Sequence, residues 1–158
     1  MRFTTHEDVE APIEFVFGQV SDFETFERFG LRNGAEITRL DTLAEQGVGM
    51  VWDARVSIRG KQRRINAELV DYESPTAMRF LAVSDGFTAV FIVDLVGLSR
   101  KRTRIGIDLD IKPKSISARL MLQSARLAKS SLSKRFKRRV AKFGREIETR
   151  FRRAEGLI

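Results

Sequence analysis

Between Gly34 and Pro113, apolar and polar residues alternate with a period of two through six successive segments. A helix cannot present that period to one core, whereas a strand with one dry and one wet face does. The clearest case is Thr103 to Lys112, where Ile105, Ile107, Leu109 and Ile111 alternate with Arg104, Gly106, Asp108 and Asp110. Met50, Trp52, Ala54, Val56 and Ile58 stand in the same way against Val51, Asp53, Arg55, Ser57 and Arg59. A turn at Arg59-Gly60-Lys61 leads into Ile65, Ala67 and Leu69, and then to Met78, Phe80 and Ala82. Ser84-Asp85-Gly86 turns the chain again into Phe87, Ala89, Phe91, Val93 and Leu95. The segments around Phe80 and Phe91 are apolar on both faces, and Gly34 to Asp41 alternates least clearly. Strands this close, joined by turn residues, predict an antiparallel meander.

The flanks add one more strand and the helices. Arg2 to Val9 reads as a strand with Phe3, Thr5, Glu7 and Val9 on one face, ended by Ala11-Pro12. Proline at a first helical position, with Ile13, Val16, Phe17 and Val20 behind it, predicts a short helix up to Ser21-Asp22. The capping-box spacing Ser21-x-x-Glu24 opens a second short helix with Phe23, Phe26 and Phe29, stopped by Asn33-Gly34. After Pro113, Ser115 is placed to cap a helix whose apolar positions are Ile116, Leu120, Leu127, Leu132, Phe136, Val140, Phe143, Ile147 and Phe151. Roughly forty helical residues span about 60 Å, against about 33 Å for a ten-residue strand. The helix is therefore expected to overhang the sheet or break, with a bend where the step from Leu127 to Leu132 crosses Ser130-Ser131.

With 158 residues, 42% of them hydrophobic and none cysteine, the chain suits one ordinary domain over 1–158 without disulfides. The opening residues carry no apolar run of the signal-peptide kind, and a cytoplasmic location is expected. The net charge of +8 is uneven: Lys114 to Arg153 holds 14 basic and 2 acidic residues, so the rest of the chain is net acidic.

Val9-Glu10-Ala11-Pro12-Ile13-Glu14-Phe15-Val16-Phe17 joins a strand ending at alanine-proline to a helix with a valine-aromatic pair. Ser21-Asp22-Phe23, Gly47-Val48-Gly49 ahead of Trp52, and Arg59-Gly60-Lys61 accompany it. These segments, in the order strand, two short helices, six-strand meander and long helix, resemble the SRPBCC superfamily of START lipid carriers, birch-pollen allergens and polyketide cyclases. The resemblance implies an α+β helix-grip fold: a curved antiparallel sheet of about seven strands, two short helices and one long C-terminal helix, with a cavity between sheet and helix. It implies binding or carriage of a lipid, isoprenoid or polyketide-like molecule, with a cyclase or aromatase as the alternative.

On parity the dry faces offer Met50, Trp52, Ile65, Leu69, Met78, Phe80, Phe87, Phe91, Ile105, Ile107 and Leu109, either as an apolar lining or as ordinary core. Nucleophilic catalysis of the serine-histidine kind needs a histidine base, and His6 alone stands on a wet face. One histidine and no cysteine argue against a zinc site, and no cofactor signature is present. Glu7, on the face of Phe3 and Val9, is the single candidate acid or ligand partner, with edge solvation or an arginine pair as the plainer reading. Tyr72 and Trp52 each have one polar atom to offer. Lys134, Lys137, Arg138, Lys142 and Arg145 surround the Phe136/Val140/Phe143 stripe, as in a solvated helix face, an anionic membrane contact or, lacking a recognition motif, least of all a nucleic-acid surface.

Overall fold

The computed structural model describes residues 1–58 and 60–157. Its elements are β1 (Arg2–Val9), α1 (Ile13–Val20), α2 (Phe23–Arg32), β2 (Glu36–Arg39), β3 (Val51–Ile58), β4 (Lys61–Glu73), β5 (Ala77–Ser84), β6 (Phe87–Ser99), β7 (Arg102–Pro113), α3 (Ile116–Arg126) and α4 (Lys129–Ala154). The six alternating segments are β2 to β7, each paired antiparallel with the next, and β1 adds to the free edge of β7 to give the order β1-β7-β6-β5-β4-β3-β2. The sheet is curved and the helices lie against one of its faces, as in a helix-grip fold.

Turn chemistry sets the register. Gly60 and Gly86 sit at φ 74° and 79°, where a side chain is strained; Arg59, the first residue of the expected β3–β4 turn, lies outside the described residues. A bulge between Leu69 and Asp71 resets β4, so that Tyr72 joins Leu69 on the helix-facing side opposite Met78.

Two helix starts differ from expectation. Asp22, not Ser21, caps α2: its carboxylate accepts from the Thr25 amide at 3.4 Å and the Thr25 hydroxyl at 2.7 Å. The Ser21 hydroxyl instead donates back to the Phe17 carbonyl at 2.6 Å and closes α1. Pro12 is the residue before α1 rather than its first turn. Ser115 caps α3 as expected, accepting from the Ala118 amide at 3.1 Å.

The long helix breaks. The interruption falls at Leu127–Ala128, three residues before the expected serine pair. The reason lies in the faces: α4 turns Phe136, Val140, Phe143, Ile147 and Phe151 inward, but α3 buries Ala118 and half-buries Leu122 and Ala125. Ile116, Leu120 and Leu127, expected on the packing stripe, are exposed instead, because one straight helix cannot follow the sheet around its curve. Where α4 crosses β1, buried Gly144 brings the helix against Val9 and Glu7. The wholly buried Val9, Val16, Leu69, Ile105 and Ile147 form the centre of the core, each contributing roughly 1.5–3 kcal/mol by leaving water.

Candidate functional site

The pairing places helix-facing residues in rows across the sheet. Tyr72, Met78, Val93 and Ile107 form one row, and Leu95, Ile105 and Glu7 form the next. This end is covered by α1 and the C-terminal half of α4, with Phe17 stacked edge-on against Tyr72 at 5.5 Å and Phe15 against Phe151 at 5.1 Å. Toward the other end, Ala67, Ala82 and Ala89 stand directly opposite one another on β4, β5 and β6, between Trp52 and Ile111. Three adjacent strands thus lack side-chain volume at one level. With strands ~4.8 Å apart, that floor is about 10 Å across, and the four residues from Phe87 to Phe91 give it about 13 Å along the strands.

Aromatic residues stand beside this row of small side chains. Phe80 lies 6.1 Å from Phe91 and 6.0 Å from Trp52, and Trp52 lies 5.2 Å from Phe23. Above it, α2 and α4 meet through Phe26 and Phe143 at 5.7 Å.

The expected lining residues separate into two groups. Met50, Trp52, Leu69, Met78 and Ile105 are 8% exposed or less and are closed core. Ile65, Phe80, Phe87, Phe91, Ile107 and Leu109 are half-buried, so solvent reaches the helix-facing side where these residues stand. The row of small residues accompanies the difference: Ala67, Ala82 and Ala89 put little side-chain volume between Phe80/Phe91 and Ile65/Phe87.

The polar groups mark the rims. The Trp52 indole N–H donates to Glu27 Oε1 at 2.8 Å, so its polar atom is engaged. The Tyr72 hydroxyl accepts from Gln46 Nε2 at 3.3 Å, and the same nitrogen reaches the Ser21 carbonyl at 2.9 Å. Arg39 grips Asp41 with two hydrogen bonds of 2.8 Å, and Asp41 also accepts from the Val51 and Leu43 amides. The Arg39 hydrogen bonds, more than the two amides, hold this carboxyl far below the usual carboxylate range. Glu27, Arg39, Gln46, Asp22 and Glu24 line a cleft of about 230 Å³ beside α2. At the opposite rim Arg63 stands on the helix-facing side opposite Val56, with Nη2 3.7 Å from Met121 Sδ of α3.

Sequence reasoning did not single out Glu27, Arg39 or Arg63. Arg63 shares the parity of Ile65, Ala67 and Leu69, and its pairing with Val56 confirms that it, not the adjacent Arg64, turns inward.

The remaining candidates stand apart from the alanine row. Glu7 is half-buried beneath Gly144 of α4, and among the described residues no buried polar side-chain atom lacks a partner. Glu7 is therefore not a stranded acid. His6 is exposed on the far face. Lys134, Lys137, Arg138, Lys142 and Arg145 are all exposed on α4, and Lys142 and Arg145 border a groove of about 490 Å³ with Glu146, Thr149, Arg150 and Arg153. Among the described residues no three His, Cys, Asp or Glu side chains gather in a metal-holding group, and no helix is long and apolar enough to cross a membrane.

No family model and no curated protein matches the sequence. The fold, by contrast, has many solved counterparts. The chain superimposes on the Zhui aromatase/cyclase from Streptomyces sp. R1128 with a TM-score of 0.69 at 15% identity, covering 98% of this chain and 97% of that one. A START superfamily protein from Mycobacterium smegmatis aligns with a TM-score of 0.56 at 17% identity over 85% of this chain and 95% of its own. Ara h 8.0201 aligns with a TM-score of 0.58 at 12% identity over 96% and 97%. These likenesses establish an SRPBCC/START-like helix-grip fold.

Proposed function

We propose that this START-like chain binds and carries an apolar small molecule, of the lipid, isoprenoid or polyketide kind, in the trough floored by Ala67, Ala82 and Ala89. The observation that carries the reading is the alanine row itself: three small residues in register on neighbouring strands, walled by half-buried Phe80, Phe87 and Phe91. Core positions in ordinary domains are filled to crystal-like density, and a level that holds only alanine across three strands suits an occupant with the width of a ring system. Neighbours of this fold include a START superfamily protein and an aromatase/cyclase, which supports a small-molecule partner without naming it. The trough floor carries no titratable group, which favours carriage over chemistry.

The test is ligand loading. Gently purified protein should yield a bound lipophile by native mass spectrometry, or should be stabilised by members of a lipophile panel. A ligand at a hundredfold its Kd stabilises by about 2.7 kcal/mol, a rise in Tm of roughly 5–10 °C for a domain of this size. Ala82→Phe should abolish loading while leaving the apo Tm nearly unchanged, because Ala82 is half-buried and not sealed in the core. A chain recovered empty that no lipophile stabilises, or an Ala82→Phe chain that loads normally, would remove the reading.

A further inference from the structure

Helix α3 is apolar on two opposite sides, and only one is used. Ala118, Leu122 and Ala125 face the body of the protein, with Ala118 packed against Gly86 in the β5–β6 turn. Ile116, Leu120 and Leu127 are 80%, 58% and 93% exposed. At about 100° per residue these three fall within about 40° of arc, a solvent-facing apolar stripe along the whole helix. Arg119 and Arg126, both exposed, lie roughly a quarter turn to one side of that stripe, and Ser117 and Ser124 roughly as far to the other. Along the chain the charge has one sign: from Ile111 to Arg145 there are 12 basic residues and no acidic ones, with Asp85 of the β5–β6 turn as the acidic neighbour beneath the start of α3.

From this arrangement we infer that α3 docks the protein on an anionic phospholipid bilayer, with Ile116, Leu120 and Leu127 seated at the headgroup–acyl boundary and Arg119 and Arg126 on lipid phosphates. Long cationic side chains lay their stems along apolar surface and keep their heads at the phosphate level, which matches arginines beside an aliphatic stripe. The unbroken positive charge of α3 and the first half of α4 complements an anionic surface. Other occupants fit less well. The stripe is aliphatic and offers no ring for a nucleobase to stack on. It spans three turns, short of the repeated heptads that a partner helix requires.

The position of α3 gives the docking a consequence, which rests on the carrier reading. The helix leaves β7 at Ser115, crosses Gly86 between β5 and β6, and reaches Arg63 of β4 through Met121. It therefore runs along the open end of the trough. Seating its outer side in a bilayer brings that opening to the lipid surface.

Co-sedimentation with vesicles of phosphatidylcholine containing about a third phosphatidylglycerol tests the inference. The full chain should bind these vesicles and leave pure phosphatidylcholine vesicles free. Replacing Ile116, Leu120 and Leu127 together by serine should weaken binding at least tenfold with an unchanged circular dichroism spectrum and Tm, since all three side chains are exposed. In the Leu127→Trp variant, emission should shift to the blue on vesicles and be quenched by brominated acyl chains, with buried Trp52 of the parent chain as the silent control. The inference is overturned if the parent chain binds no vesicles, if it binds RNA but not lipid, or if the serine variant binds as well as the parent. It is also overturned if the tryptophan is not quenched, as when the basic face of α4 alone makes the contact. Its failure is separable from that of the carrier reading: the serine variant should still load lipophile in solution, and Ala82→Phe should still bind vesicles.

Discussion

Gly144 shows how one absent side chain positions α4. A β-carbon there would stand 3.3 Å from Val9 Cγ2 and 3.8 Å from Glu7 Cβ, and Val9 is wholly buried with no room to retreat. The backbone at Gly144 is not in the left-handed region, so the constraint is space alone. Alanine would recover about 1 kcal/mol of helix propensity against a contact that is merely tight, and Gly144→Ala should be near neutral. Leucine offers no such balance: Gly144→Leu should lose about 2–3 kcal/mol by overpacking, read as a lower urea midpoint with unchanged m-value. Wild-type stability in that variant would show that α4 approaches β1 less closely than the structure has it. The fate of Trp52 is also decided at this scale, because Glu27 takes its N–H and leaves the ring to pack in the core.

At the scale of elements, α3 and α4 differ in how firmly they belong to the fold. α4 buries Gly144, Ile147 and Phe151, whereas α3 buries only Ala118. Loss of the α3 cap through Ser115→Ala should cost about 1 kcal/mol, yet the cost should fall on local opening and not on global unfolding. Amide exchange across Ile116–Arg126 should quicken about fivefold while the Tm moves by no more than a degree or two. A Tm drop of several degrees would mean that α3 unfolds together with the sheet. The break between the two helices was half legible beforehand. Helix length against sheet width required a break or an overhang, and the five-residue step pointed to the right region. The spacing of apolar residues did not reveal that the α3 stripe turns outward, since hydrophobic periodicity marks a face without saying what covers it.

Across the whole molecule, three aspartates tie neighbouring strands through arginines, Asp8 with Arg104, Asp108 with Arg2 and Asp53 with Arg64, and a fourth, Asp41, pairs with Arg39 at the end of its own strand β2. In each case the arginine hydrogen bond is the main cause holding the carboxyl below its ordinary value, most strongly at Asp41. A folded-state pKa below the unfolded value of about 3.9 gives stability that is complete above that value and lost as pH falls through the folded one. The urea midpoint should therefore stay level between about pH 7 and 5 and decline below about pH 4. Because these pairs lie near solvent, the decline should be shallower in high salt. A midpoint that falls already between pH 7 and 5 would implicate other groups.

Strand parity and turn glycines are local properties, and the sequence by itself determined them: the six-strand meander and the face on which Ile105, Ile107 and Leu109 stand were readable from neighbours in the chain, as was the Ser115 cap, though not the α2 cap at Asp22. Which dry-face residues are sealed and which stay half-buried was not readable. Phe80 and Met78 share one face of one strand, yet Met78 is wholly buried while Phe80 is half-buried beside the alanine row. That outcome depends on Ala67, Ala82 and Ala89 arriving opposite one another from three strands, a coincidence of register that no single segment contains. The outward stripe of α3 was decided in the same way. A helix shows which of its residues are apolar, but only the curvature of the sheet beneath it decides which of them reach the core and which are left facing solvent.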